Sequence, residues 1–328
     1  MTFQTMPKVE LHLHHEGAAP PEFVRGIAKE KKVDISGVFN EQGQYAYSDF
    51  EDFLRIYEVA TSVLTKPEDY ARLTRAVLEE LAEHGVIYAE TFLSPDFCGG
   101  GDVKAWMEYL AAMVEVAEQA EQELGVTLRG IVTCIRHFGP EKSRPVARCA
   151  AETAGDWLVG FGMAGAEMVG APGDFAWAFD CAREAGLRLT CHAGEWGGAK
   201  MVSDTLDQLP GIERIGHGVG AVSDPALMKR LADTGVVLEV CPGSNVALGV
   251  TQSFSAHPIN TLREAGVKVC ISTDDPPFFH TTMTREYEEL SRAFGWEEDD
   301  FTALNRVAAE AAFCDEDTRA RILKGLET

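Results

Sequence analysis

The sequence predicts an α/β protein, a (β/α)8 TIM barrel with extra helices after strand 1 and at the C-terminus. Eight short apolar runs alternate with segments of helical spacing. Chemistry-bearing polar motifs stand at the ends of four of those runs, where barrels of this type carry their active sites. A length of 328 residues is one that such a barrel fills as a single domain, expected here over 1–328.

The runs are KVELHLH (8–14), GVIYAETFL (85–93), TLRGIVTCI (127–135), LVGFGMAG (158–165), LRLTCHAG (187–194), RIGHG (214–218), VVLEVCP (236–242) and VKVCISTDD (267–275). They are nearly continuous in apolar residues and often β-branched, the pattern of parallel strands covered on both faces. Between them, SDFEDFLRIYEVATSVL (48–64) has apolar residues at helical intervals, with Ser48 and Glu51 at capping-box spacing. DPALMKRLADTG (224–235) opens on Asp-Pro and stops at a glycine. The stretch between the first two strands holds more than one helix, as does the tail after residue 283. No internal repeat beyond this alternation, low-complexity segment or linker interrupts the chain.

Composition narrows the function. Hydrophobic residues at 45% and charged residues at 25% supply a full globular core. A net charge of -23 repels phosphate backbones and anionic lipid surfaces, which argues against nucleic acid or a membrane as partner and favours a small molecule. The eight cysteines contain no CxxC pair and read as reduced, buried thiols. With no apolar leader or membrane-length run, the expected location is the cytoplasm. Oligomeric state is left open.

The strand-end motifs are HLHH, HAGE, GHG and TDDP. His12 and His14, two apart on a strand, share a face, and His15 points the other way. An HxH pair alone is a weak signal, and an ordinary half-buried strand explains it as well. His192 adds a third imidazole at a third strand end, and Asp274 an anionic oxygen, which together suit zinc. Two adjacent carboxylates, Asp274 and Asp275, resist ionising together unless a cation neutralises one of them. Two-metal barrel hydrolases commonly need a bridging group such as a modified lysine on strand 4, and LVGFGMAGAE has no lysine, so one metal ion per chain is expected. Such an ion lowers the pKa of its water and creates a nucleophile near neutral pH. Glu195 is placed to shuttle protons and His217 to orient the nucleophile and stabilise developing charge. His217 read alone is equally a satisfied core histidine.

In this order and at these spacings KVELHLHHEGA, MAGAE, HAGE, GHG, CPGSN and STDDP resemble the adenosine deaminase family of the amidohydrolase superfamily over essentially the whole chain. The resemblance implies a one-zinc barrel that hydrolytically deaminates a purine at its six position, releasing ammonia. It implies His12, His14, His192 and Asp274 as zinc ligands and Glu195, His217 and Asp274 as the catalytic set. Glu195 would protonate ring N1 and His217 would position the hydroxide, while Asp275 meets N7 and the Gly165 N–H meets N3. His14 and Glu16 would also border the substrate, and Phe53, Leu54 and Tyr57 resemble the family's apolar lid, although plain core packing explains that trio too.

Three features bear on the substrate reading. Adenosine-specific members usually carry aspartate at the position of Glu16, and adenine-specific relatives favour glutamate. Those relatives also tend toward DHG and SDDP, whereas this chain has GHG and TDDP, and Gly162 stands where many members have an acid. The expectation is a nucleoside, adenosine or 2′-deoxyadenosine, with adenine, a modified adenine or aminodeoxyfutalosine as the alternative. A cytidine-deaminase-type zinc site needs PCxxC, which is missing. A nucleotide substrate would call for more Lys or Arg near the motifs. A catalytically dead purine-binding barrel would have lost a ligand or Glu195, and each of these positions is filled.

Overall fold

The strands form where the apolar runs predict. In the computed structural model, which describes residues 2–327, one parallel sheet runs in the order β1 to β8. The strands are β1 (Lys8–His14), β2 (Val86–Leu93), β3 (Thr127–Ile135), β4 (Leu158–Ala164), β5 (Arg188–Ala193), β6 (Ile212–His217), β7 (Val237–Val240) and β8 (Val269–Ile271). Helices pack outside the sheet, as the near-continuous apolar strands require.

The barrel closes at its functional end. Leu13 pairs with Asp274 in a parallel bridge, His14 N donates to Asp274 O at 2.9 Å, and Asp274 N donates to His12 O at 3.0 Å. Main-chain bonds of the seam itself therefore fix the relative positions of His12, His14 and Asp274.

The other end is plugged by the C-terminal segment. Val9, Leu11, Tyr88, Val237 and Cys270 pack against Ala308, Ala309 and Ala311 of the helix Glu298–Ala311, and Phe313 beyond it packs on Phe92 and Ile131. Gly160 permits this, since a Cβ there would lie 2.8 Å from the Phe313 ring. Wrapped in the same region, Arg214 pairs with Glu90 and Glu239 at 2.6 Å each and lies 3.5 Å from the Phe313 ring centroid. Burying three charges is tolerable because each has an opposite partner.

Helices Pro21–Lys31, Phe50–Thr61 and Pro67–Glu83 fill the insertion after β1, and Met283–Phe294, Glu298–Ala311 and Glu316–Gly325 form the tail. The helix expected over 48–64 is shorter. Its cap is Asp49, which accepts from Asp52 N, and the Ser48–Glu51 capping box does not form because Ser48 lies one residue too early. The helix after β6 spans Pro225–Thr234, with Asp224 and Gly235 as the expected caps. The described cysteines are free thiols, and no described helix is long and apolar enough to cross a membrane.

Candidate active site

Every residue singled out for the site gathers at the C-terminal mouth of the barrel. His14, Glu16, Phe53, Leu54, Tyr57, Gly165, His192, Glu195, His217, Asp274 and Asp275 line one pocket, with His12 buried beneath it. Phe53 and Tyr57 line the pocket and also pack beside it, Phe53 on Phe278 and Phe279 and Tyr57 on Phe278.

Four side chains could hold a cation. The candidate donor atoms of His12, His14, His192 and Asp274 all lie within 4.8 Å of one another. His14 Nε2 is 3.1 Å from His192 Nε2 and 3.2 Å from Asp274 Oδ1, and His12 Nε2 is 3.4 Å from the same oxygen. Zinc with ligands at about 2.0–2.1 Å in a tetrahedron separates them by roughly 3.3–3.4 Å. His12 Nε2 is also buried without a hydrogen-bond partner, so the donor set fits a divalent ion. Burial disfavours charge on His12, but the Asp274 and Glu239 carboxylates outweigh it and hold its pKa up at about 9.

The supporting contacts come from elsewhere in the chain. Glu239 Oε2 lies 2.8 Å from His12 Nδ1 and Ser244 Oγ donates to Asp274 Oδ2 at 2.7 Å. A relay orients His217: Ile259 N donates to His257 Nδ1 at 3.1 Å, so His257 Nε2 donates to Asn245 Oδ1 at 3.1 Å. Asn245 Nδ2 then donates to His217 Nδ1 at 3.3 Å, which leaves the His217 proton on Nε2, 3.9 Å from Asp274 Oδ2. Burial pushes the His217 pKa down to about 3, so the ring is neutral.

Two carboxyls beside this cluster are pushed toward their protonated forms. Burial, then the Asp274 and Glu167 charges, push Glu195 well above its ordinary range, and its Oε1 has no hydrogen-bond partner. Burial and then Asp274 do the same to Asp275. Its Oδ1 would be 1.6 Å from a Cβ at position 17, so only Gly17 fits there. Gly165 adopts φ +95°, and a Cβ would come within 2.7 Å of His137 Nδ1.

Glu239, Ser244, Asn245, His257 and the pocket-lining His137 were not identified as site residues from the sequence. Glu239 did carry a signal, being a lone charge in the apolar run VVLEV, where a buried carboxylate needs a partner. His15 points outward as expected, bonding Thr74 at 2.9 Å, and His280 is exposed.

Residues 7–328 match the family model for adenosine deaminase. The chain belongs to the adenosine deaminase family. Members of the adenosine deaminase family are hydrolytic deaminases that act on C–N bonds of cyclic amidines, and this chain is such an enzyme. The chain is 49% identical over 325 residues to an adenine deaminase of Rhizobium leguminosarum bv. trifolii, covering 98% of this chain and 99% of the relative. Among solved structures, the adenine deaminase of Arthrobacter aurescens superposes with a TM-score of 0.90 at 28% identity, covering 98% of each chain. A zinc-bound amidohydrolase from Burkholderia ambifaria does so with a TM-score of 0.84 at 26% identity, covering 99% of this chain and 90% of that one.

Proposed function

We propose that the chain hydrolyses adenine to hypoxanthine and ammonia, in place of the nucleoside expected from the sequence. The observation that carries this reading is Glu16, a buried glutamate facing the pocket, joined to the near full-length 49% identity with an adenine deaminase. Tyr70 OH donates to Glu16 Oε1 at 2.9 Å, and burial raises the Glu16 pKa to about 7 against that bond. Free adenine has an imidazole N–H where a nucleoside bears its sugar, and a carboxylate can accept from it. A site built to bond an N–H rejects the analogue that lacks it by as much as about 10⁴-fold, because its own polar group is left unpaired.

The site residues divide the chemistry. His12, His14, His192 and Asp274 would hold one divalent cation, read here as zinc from the nitrogen-rich donor set and the zinc-bound neighbour. When bound, that ion supplies the Lewis acidity that makes water nucleophilic near neutral pH. Glu195, protonated in its buried setting, gives its proton to ring N1 and makes the adjacent carbon electrophilic. His217, held with its proton on Nε2, orients the attacking water and offsets the charge that develops on its oxygen. Asp275, also protonated, donates to N7, and the Gly165 N–H faces N3. The apolar lid of Phe53, Leu54 and Tyr57 limits bulk water around the ring.

Ammonia release by the purified, metal-loaded protein on adenine, adenosine and 2′-deoxyadenosine, run side by side, tests the reading. The expected result is a kcat/KM for adenine well above either nucleoside. A higher value for adenosine refutes it.

A further inference from the structure

Glu167 lies just beyond β4, is 3% exposed, and spends its whole carboxylate on one turn. Oε1 accepts from Gly194 N, and Oε2 accepts from Trp196 N at 2.6 Å and Gly197 N at 3.0 Å. These amides flank Glu195 on both sides. Backbone N–H groups curled around a carboxylate form a strong, directional clamp.

The turn cannot take this shape without its glycines. Gly194 has φ +77°, and a Cβ there would lie 2.3 Å from Val202 Cγ2, while a Cβ on Gly197 would meet Glu167 Oε1 at 2.9 Å. Glu167 is itself held from behind, since its carbonyl accepts from Arg136 Nη1 at 2.6 Å, and Arg136 is 1% exposed at the end of β3. The ends of three successive strands are thus tied in series. Glu195 Oε1, in contrast, has no hydrogen-bond partner, and the carboxyl's hydrogen bond to Trp196 is made to a residue of the same clamped turn, so the turn sets where Glu195 points.

We infer that Glu167 is a positioning residue for deamination: its carboxylate sets the Gly194–Gly197 turn and so aims Glu195 at the substrate. This rests on the reading of Glu195 as the proton donor. Because a misaimed donor is missed mainly in the transition state, loss of the clamp lowers kcat and leaves KM nearly unchanged. A displacement of about 1 Å costs on the order of 10²-fold in rate.

The test compares the metal-loaded wild type with Glu167→Ala and Glu167→Gln, the second keeping one acceptor oxygen and the shape should the first fail to fold. Amide hydrogen exchange is read in the peptide covering 193–198, alongside metal content, folded fraction, kcat and KM on whichever purine the wild type deaminates best. The expected result is faster exchange in that peptide, kcat down by about 10²-fold in the alanine variant and by less in the glutamine variant, with KM within about threefold and metal content unchanged. Unchanged exchange or unchanged kcat overturns the proposal. So does a fall in kcat matched by an equal fall in folded, metal-loaded protein, which makes Glu167 merely structural. Failure of the wild type on adenine would strike the proposed substrate alone, because the exchange measurement does not depend on it.

Discussion

Glu239→Gln isolates the electrostatic support of the cation site. Glu239 and His12 are both fully buried and 2.8 Å apart, and Glu239 also accepts from Thr190 Oγ1 at 2.9 Å and pairs with Arg214 at 2.6 Å. Burial works against its charge, but Arg214 and then His12 hold its pKa below the ordinary value, so it is a carboxylate that accepts a hydrogen bond from His12 Nδ1–H. That frees His12 Nε2 as a donor and raises its basicity. Removing such an orienting carboxylate costs about 10–100-fold in metal affinity, or about 1.4–2.8 kcal/mol. Arg214 keeps Glu90 at 2.6 Å, so the stability loss falls toward the lower end of the roughly 3–5 kcal/mol seen when a buried pair is broken. Metal affinity is measured by competition with a chromogenic chelator, well below the melting range of both proteins, and stability by thermal melting of the metal-free forms. An affinity within threefold of wild type would refute the assignment of Glu239 as the group that orients His12.

Three further outcomes are expected. Glu195→Gln retains its metal, because Glu195 is outside the four-donor set, and loses about 10²–10⁴-fold in kcat; near-normal turnover with full metal content contradicts its role as proton donor. Chelation lowers the melting temperature of wild type, since an ion that binds only the folded state at 100 times its Kd adds about 2.7 kcal/mol, whereas Asp274→Ala melts alike with and without chelator. Glu286, buried and accepting from Gly243 N at 3.0 Å, has its pKa raised by burial from 4.5 to about 8. Across that window the folded state holds a proton that the unfolded state has released, so this group makes stability fall as pH rises from about 4.5 toward about 8, and Glu286→Gln should show a shallower decline in denaturant titrations.

Much of the architecture was legible because it is written locally. The strand runs and the caps Asp224 and Gly235 depend on residues within a few positions of each other, and they fall within a few residues of expectation. The exceptions are one local and one tertiary. The expected cap at Ser48 moved to Asp49, one of several adjacent acceptors able to reach the first turn. The strand expected over 267–275 narrows to Val269–Ile271, because the chain turns at Asp274 with φ +69° to bridge Leu13. The clustering of the candidate donors and acid–base groups was readable because HLH, HAGE, GHG and TDDP each place their polar atoms at a strand end.

The sequence by itself therefore determined the barrel and put the candidate donors His12, His14, His192 and Asp274 and the candidate acid Glu195 at strand ends, since each position follows from a periodicity or a short motif. Only the tertiary structure decided what orients them. Glu239 lies 227 positions from His12, Ser244 lies 30 from Asp274, and Glu167 lies 27 to 30 from the amides it clamps. No local pattern encodes such pairs. They form because closing eight strands into one barrel brings distant strand ends into a water-poor space, where a buried polar group must find a partner.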